Sequence, residues 1–337
     1  MIFHLLLLLF SGLLLFRSAN WLVQGIGKVS YYLRWSEFVI AFFIMAIGGS
    51  LPNLFIGLSS VAHGIPELSF GDIVGNAVVD LTLVAAFAVL LGSNLLAEGK
   101  LVQTSAFLTI AIAILPLLLI LDGTLSRGDG MALLLVFFLY SWWMISKRHL
   151  YEQTADLTNQ RPPLHRFRTF FGGLIQIAVG GIVLFLAAEG VVRSATFFAD
   201  ALNLPLVLLG ILVLGLGSAL PEIYFAIAAA RKGKSWVILG EITGSVIVLT
   251  TLVLGTVALL SPIVIHDFSQ FAIARFFMIV SAFLFLIFTR TGRKITKREA
   301  VMLILLYVAF VLLEIFTKVW CNPDLAYCLK EGVSMIQ

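Results

Sequence analysis

The sequence predicts an all-α polytopic membrane protein, with ten transmembrane helices arranged as two inverted five-helix repeats. Three observations predict it. Of the 337 residues, 61% are hydrophobic and 12% charged, and the mean hydropathy is +1.07; soluble domains run roughly 45–50% apolar and about 25% charged. Ten apolar runs approach the roughly 20 residues that a hydrocarbon core about 30 Å thick demands. A shift of 169 residues lays one half of the chain on the other.

The first repeat, residues 1–146, holds runs at about 3–26, 36–61, 69–96, 101–121 and 127–146. The opening "LLLLLFSGLLLF" lacks a charged n-region and continues through Trp21 to Gly27, so it reads as a retained first helix rather than a signal peptide. Residues 147–168 form a basic linker. The second repeat, 169–317, holds runs at about 169–192, 204–230, 236–260, 268–289 and 298–317. The polar tail 318–337 carries Cys321 and Cys328, which either pair in an oxidising compartment or remain thiols.

With loops assigned to alternate sides, 16 of the 22 Lys and Arg residues fall on the side of the linker. Cytoplasmic loops carry that excess, so the linker is expected in the cytoplasm and both termini and the tail outside, across a plasma (inner) membrane. The net charge of +4 serves orientation; nucleic acid is not an expected partner. Arg17, and Arg193 with Glu189, read as snorkelling or paired groups, and the tryptophans as interface anchors. His63 and His266 read as solvated loop residues.

The repeat is sharpest where "GGSLPN…GDIVGNAVVDLTLV" meets "GSALPE…GEITGSVIVLTTLV": 11 of the 37 pairs from Gly48 to Val84 (against 217–253) are identical. An offset of five spans is odd, so the second copy crosses the membrane in the opposite sense. Inverted repeats with Gly- and Pro-interrupted apolar segments mark secondary transporters, whose site lies between the repeats near the midplane. Gly and Pro at that depth are tolerated where protein or a wet cavity satisfies the backbone.

Polar residues gather on the same segments. Asp72, Asn76 and Asp80 are spaced i, i+4, i+8, so they stack on one helical face. Their mates are Glu241, Ser245 and Leu249. Ser50 with Asn53, and Ser218 with Glu222, lie one turn apart on the two Pro-bearing spans. A carboxylate at the bilayer centre costs about 2.5–3.5 kcal/mol even on insertion scales, so such groups face a partner or a cavity. Carboxylate, amide, hydroxyl and carbonyl oxygens suit a hard cation such as Ca²⁺; no imidazole or thiolate is available there for zinc or copper.

These motifs resemble the two alpha repeats of the sodium/calcium exchanger family of the calcium/cation antiporters, in its prokaryotic form, with divergent motifs (48–84 and 217–253). The resemblance implies that the family's two glutamates fall on Asn53 and Glu222, its hydroxyls on Gly49, Ser50, Ser218 and Ala219, and its carbonyl ligands on Ala46 and Gly215. Its second-motif serines fall on Asn76 and Ser245 and its closing polar residues on Asp80 and Leu249; Asp72 and Glu241 add acids one turn away. A metal ion would then be held chiefly by Asp80, Glu222 and Asn53. The expected activity is antiport of Ca²⁺ against Na⁺ by alternating access, with no resident cofactor, no enzymatic chemistry, and inorganic cations and lipid as the partners; no obligatory protein partner is evident. H⁺-coupled or other-cation exchange, and a transport-dead sensing relative, are the alternatives. An intramembrane aspartyl protease fits poorly, because Asp72 and Asp80 share one helix instead of facing each other across two.

Overall fold

The computed structural model describes residues 1–32, 47–97, 100–146, 163–202, 204, 206–233, 235–265 and 269–320. Within them the chain is helical almost throughout: α1 (Ile2–Tyr32), α2 (Gly48–Ala62), α3 (Pro66–Leu91), α4 (Lys100–Leu119), α5 (Arg127–Ser146), α6 (Pro163–Leu202), α7 (Leu206–Arg231), α8 (Ser235–Ile247, running on to Leu260), α9 (Ser269–Arg290) and α10 (Lys297–Trp320). Eight of these, all but α2 and α5, are long and apolar enough to cross a membrane. The described part of α2 has 15 residues, and α5 opens on Arg127 and Asp129, which lowers its hydropathy. Helix α6 starts at Pro163, inside the stretch read as linker: proline suits the first turn of a helix, where its missing N–H costs nothing. Ala46, Trp35, His266, Cys321 and Cys328 lie outside the described residues.

Burial sorts the helices into layers. The spanning windows of α3 and α8 are 89% and 83% buried, whereas those of α1, α6 and α10 are 18%, 22% and 28% buried. The paired acid-bearing helices are therefore the centre, and α1, α6 and α10 face lipid. Helices α1 and α6 pack along each other through small residues, since lipid supplies no hydrophobic drive between helices and close backbone approach takes its place. A Cβ at Gly25 would lie 2.9 Å from the carbonyl oxygen of Gly173, and one at Gly180 3.3 Å from that of Ser18. At one end Lys28 donates to Gln176 (2.7 Å) and Gln176 to Gln24 (3.2 Å).

Four two-residue strands lock the ends of the bundle: β1 (Leu95–Leu96), β2 (Thr124–Leu125), β3 (Ile263–Val264) and β4 (Lys294–Ile295). β1 pairs antiparallel with β4 (Leu95↔Ile295) and β2 with β3 (Thr124↔Val264). The 169-residue shift carries 95–96 onto 264–265 and 294–295 back onto 125–126, so it exchanges the two ribbons. Between β1 and β2 runs α4, 20 residues long, about 30 Å at 1.5 Å per residue. The ribbons thus sit at opposite ends of the bundle, as an inverted repeat requires.

The Gly- and Pro-bearing segments are not unwound where they are described. Pro52 and Pro221 lie inside α2 and α7, each leaving the carbonyl four residues earlier without its helical N–H. Instead of a break, π-helical turns widen the backbone among the described residues, including Asp80–Val84 in α3, its mate Val248–Val253 in α8, and Gly210–Leu214 in α7. Such turns recur at functional sites because they leave carbonyls short of partners.

Candidate cation site

The site begins with a glycine-mediated crossing of α3 and α7. A Cβ at Gly71 would lie 2.6 Å from the carbonyl oxygen of Val207, one at Gly210 2.6 Å from that of Leu68, and one at Gly215 2.7 Å from the amide nitrogen of Asn76. Only glycine permits backbones this close. The crossing brings the polar face of α3 against Ser218 on α7 and leaves α2 and α8 to close the remaining sides.

Asp72, Asn76, Asp80, Asn53, Ser218, Glu222, Ser245 and Glu241 converge there as the spacing predicts, in two linked groups. In the first, Asn53 Nδ2 donates to Asp72 Oδ2 (2.9 Å) and to Ser218 Oγ (3.1 Å). Asn76 Nδ2 donates to Ser218 Oγ (3.1 Å) and reaches Asn53 Oδ1 (3.4 Å). The Ser218 hydroxyl faces Asp72 Oδ1 (3.2 Å) and the carbonyls of Leu214 (2.8 Å) and Gly215 (3.3 Å). In the second group the Ser245 hydroxyl lies between Asp80 Oδ2 (2.8 Å) and Glu222 Oε1 (3.1 Å). The two carboxyl groups are within hydrogen-bonding reach of each other, with Glu241 beside them.

All four acids are buried, Asp72 at 0%, Asp80 at 1%, Glu222 at 4% and Glu241 at 6% exposure. Among the described residues no Lys, Arg or His pairs with any of them. Asn76 Oδ1, Asp80 Oδ1, Glu222 Oε2 and Glu241 Oε2 have no hydrogen-bond partner there. A buried oxygen left bare costs about 1–3 kcal/mol, more when charged, so this cluster of acceptors calls for a positive group that none of the described residues supplies. No set of three or more His, Cys, Asp and Glu side chains is arranged to hold a metal among the described residues. An ion would therefore complete its shell from serine, amide and carbonyl oxygens, a donor set suited to Na⁺ or Ca²⁺.

The other expected ligands are placed less directly. Ser50 is buried one turn before Asn53, the Gly215 carbonyl is shared with Ser218 of its own helix, and Leu249, fully buried, is apolar where its mate Asp80 is acidic. Gly49 has a role the sequence shows only as a missing hydroxyl: a Cβ there would lie 3.3 Å from Glu222 Oε1, so the glycine keeps that carboxylate uncovered.

His63 lies in the exposed turn after α2, as its sequence reading has it, and the structure adds a partner. His63 Nε2 lies 3.1 Å from Glu189 Oε1, which also takes Arg193 Nε at 2.7 Å, while Ser59 donates to Glu189 Oε2 at 2.8 Å. This cluster ties the end of α2 to α6. The i, i+4 spacings of Ser59 with His63 and of Glu189 with Arg193 are legible in the sequence, but the contact between them spans 130 residues and is not.

Comparison with known proteins accords with this geometry. The family model for sodium/calcium exchanger protein matches residues 3–146 and 172–316, both halves of the chain. The chain belongs to that family. It is 24% identical over an alignment of 345 positions, gaps included, to the sodium/calcium exchanger MaX1 of Methanosarcina acetivorans, covering 91% of this chain and 97% of the relative. It is 26% identical over 259 residues to the inner membrane protein YrbG of Escherichia coli, covering 76% and 79%. Among solved structures it is similar in fold to the sodium-calcium exchanger NCX_Mj soaked with Na⁺ and Sr²⁺, with a TM-score of 0.63 at 23% identity over 91% of this chain and 97% of that one.

Proposed function

We propose that this protein is a secondary active cation antiporter that exchanges Ca²⁺ for Na⁺ by alternating access. The observation that carries the reading is the set of bare, buried oxygens on Asn76, Asp80, Glu222 and Glu241, with no basic residue paired to the acids among the described residues. Ca²⁺ takes six to eight oxygens at about 2.3–2.6 Å, and Asp80 and Glu222 would supply the charge that balances one divalent ion. Na⁺ would compete for the same oxygens, which is what exchange needs: one site that is never emptied of charge on either side. In this reading the chain spans the membrane ten times as two inverted five-helix repeats, with both termini outside an inner membrane, and needs no resident cofactor.

Access would alternate through α1 and α6. They are joined to each other at Gly25, Gly180 and the Lys28–Gln176–Gln24 ladder and bury little of their surface in the rest of the bundle. A pair held so tightly to itself moves as one body, and the Glu189 cluster is its polar tether to α2. Shear of packed helices is a standard form of such switching.

The test is flux. Purified protein in lipid vesicles loaded with Na⁺ is expected to take up Ca²⁺ when diluted into Na⁺-free medium, and a pH gradient is expected not to substitute for the Na⁺ gradient. Uptake that follows the pH gradient alone would transfer the counter-ion role to H⁺; absence of uptake under both gradients would overturn the antiporter reading.

A further inference from the structure

We infer that Asn53 closes one half of the site, so that cations bind only in the half built on Glu222. The inference rests on the antiporter reading above and names which part of the site the ions use.

The two groups of side chains are repeat mates. Asn53, Asp72, Asn76 and Ser218 correspond, under the 169-residue shift, to Glu222, Glu241, Ser245 and Gly49. Asn53 and Glu222 thus carry opposite hydrogen-bonding character at equivalent positions, while Asp72 and Glu241 are both acids. The Asn53 half holds two amide hydrogens on each of Asn53 and Asn76 and one hydroxyl hydrogen on Ser218. The Glu222 half has the single hydroxyl hydrogen of Ser245.

The consequences are visible atom by atom. Asp72 Oδ2 takes an amide hydrogen from Asn53, and Oδ1 lies 3.2 Å from the Ser218 hydroxyl, whose one hydrogen is also in reach of the Leu214 and Gly215 carbonyls. Asn53 spends its amide hydrogens on Asp72 and Ser218 and accepts from Asn76 through Oδ1. A cation brought between Asn53 and Asp72 would meet N–H groups where ligation needs lone pairs. The carboxamide therefore stands where an ion would stand, joining an acid to a hydroxyl.

Across the pseudo-symmetry the balance reverses. One Ser245 proton cannot serve Asp80 Oδ2 and Glu222 Oε1 together, and Asp80 Oδ1, Glu222 Oε2 and Glu241 Oε2 have no partner among the described residues, against one such oxygen, Asn76 Oδ1, in the Asn53 half. Gly49, in the place where Ser218 fills the other half, adds no donor and leaves Glu222 open. Asp80 and Glu222, with one hydroxyl between them and Glu241 beside them, form the half that an ion would satisfy.

The experiment is equilibrium binding of ²²Na⁺ and ⁴⁵Ca²⁺ to the purified full chain and to Asn53→Asp, which replaces the amide NH₂ with an oxygen at unchanged length. The wild-type protein is expected to bind one Ca²⁺, displaced by Na⁺ with a Hill coefficient of about 1. Asn53→Asp is expected to bind one further Na⁺ per chain, raising that coefficient toward about 2. Asn53→Ser, which removes the amide without adding charge, is expected to gain Na⁺ binding in the same direction and serves if the aspartate variant does not fold. Stoichiometry unchanged from the wild type in both variants, or wild-type protein that already binds several Na⁺ cooperatively, would overturn this inference alone. Wild-type protein that binds neither ion would overturn the antiporter reading with it.

Discussion

The crossing of α3 over α7 makes Gly215→Ala the most informative single substitution. A methyl group there would lie 2.7 Å from the Asn76 amide nitrogen and from the Gly75 carbonyl carbon, about 1 Å inside normal carbon contact. Both obstacles are backbone, which cannot rotate away, so the helices must separate by about that distance. The Ser218 contacts to Asn76 (3.1 Å) and Asp72 (3.2 Å) would then stretch past hydrogen-bonding range. Overpacking costs about 1–3 kcal/mol and each interhelical hydrogen bond in a membrane about 0.6 kcal/mol, together about 2–4 kcal/mol. The assay is thermal unfolding in detergent with Ca²⁺ affinity measured on the same samples. Both are expected to fall, and Gly217→Ala, where a Cβ meets nothing within 4 Å, is the control. Wild-type stability and affinity in Gly215→Ala would refute the close crossing.

Asp80→Asn and Glu222→Gln are each expected to abolish the rise in melting temperature that Ca²⁺ confers, because a ligand stabilises only the state it binds; a retained shift in both would remove these acids from the site. Glu189→Ala and His63→Ala are expected to show a coupling of up to about 1 kcal/mol in a double-mutant cycle, the scale of partly exposed ion pairs, and zero coupling would dissolve the tether between α2 and α6. Single cysteines at Leu96 and Val264, both exposed and on opposite ribbons, are expected to react with a membrane-impermeant maleimide from opposite sides, Val264→Cys from outside, in a chain lacking Cys321 and Cys328. Labelling of both from one side would contradict the inverted arrangement.

Much of the architecture is a property of the sequence. Apolar length and the excess of Lys and Arg on one side are sums over residues, and they place helices without any tertiary information. The repeat is also one-dimensional: Pro52 on Pro221 and Gly75 on Gly244 need only a shift of 169 residues. Helical periodicity put Asp72, Asn76 and Asp80 on one face because 3.6 residues per turn is a local rule. The acids of the site were found by cost, since a carboxylate in lipid demands an explanation.

Direction and partnership were decided only in three dimensions. Asn53 reads in the sequence as one of three chief ligands; the fold aims its nitrogen at Asp72 and its oxygen at Asn76, making it a donor to the site. Gly49 and Gly215 read as a lost hydroxyl and a carbonyl ligand; the fold adds that a Cβ at the first would meet Glu222 and that the second lets two backbones touch. His63 found Glu189 across 126 residues of chain. A sequence records which groups must be satisfied, through burial and periodicity, which are local. Which group satisfies which depends on helix crossings set by contacts far apart in the chain, and hydrogen bonds with a preferred distance and direction resolve only once those crossings exist.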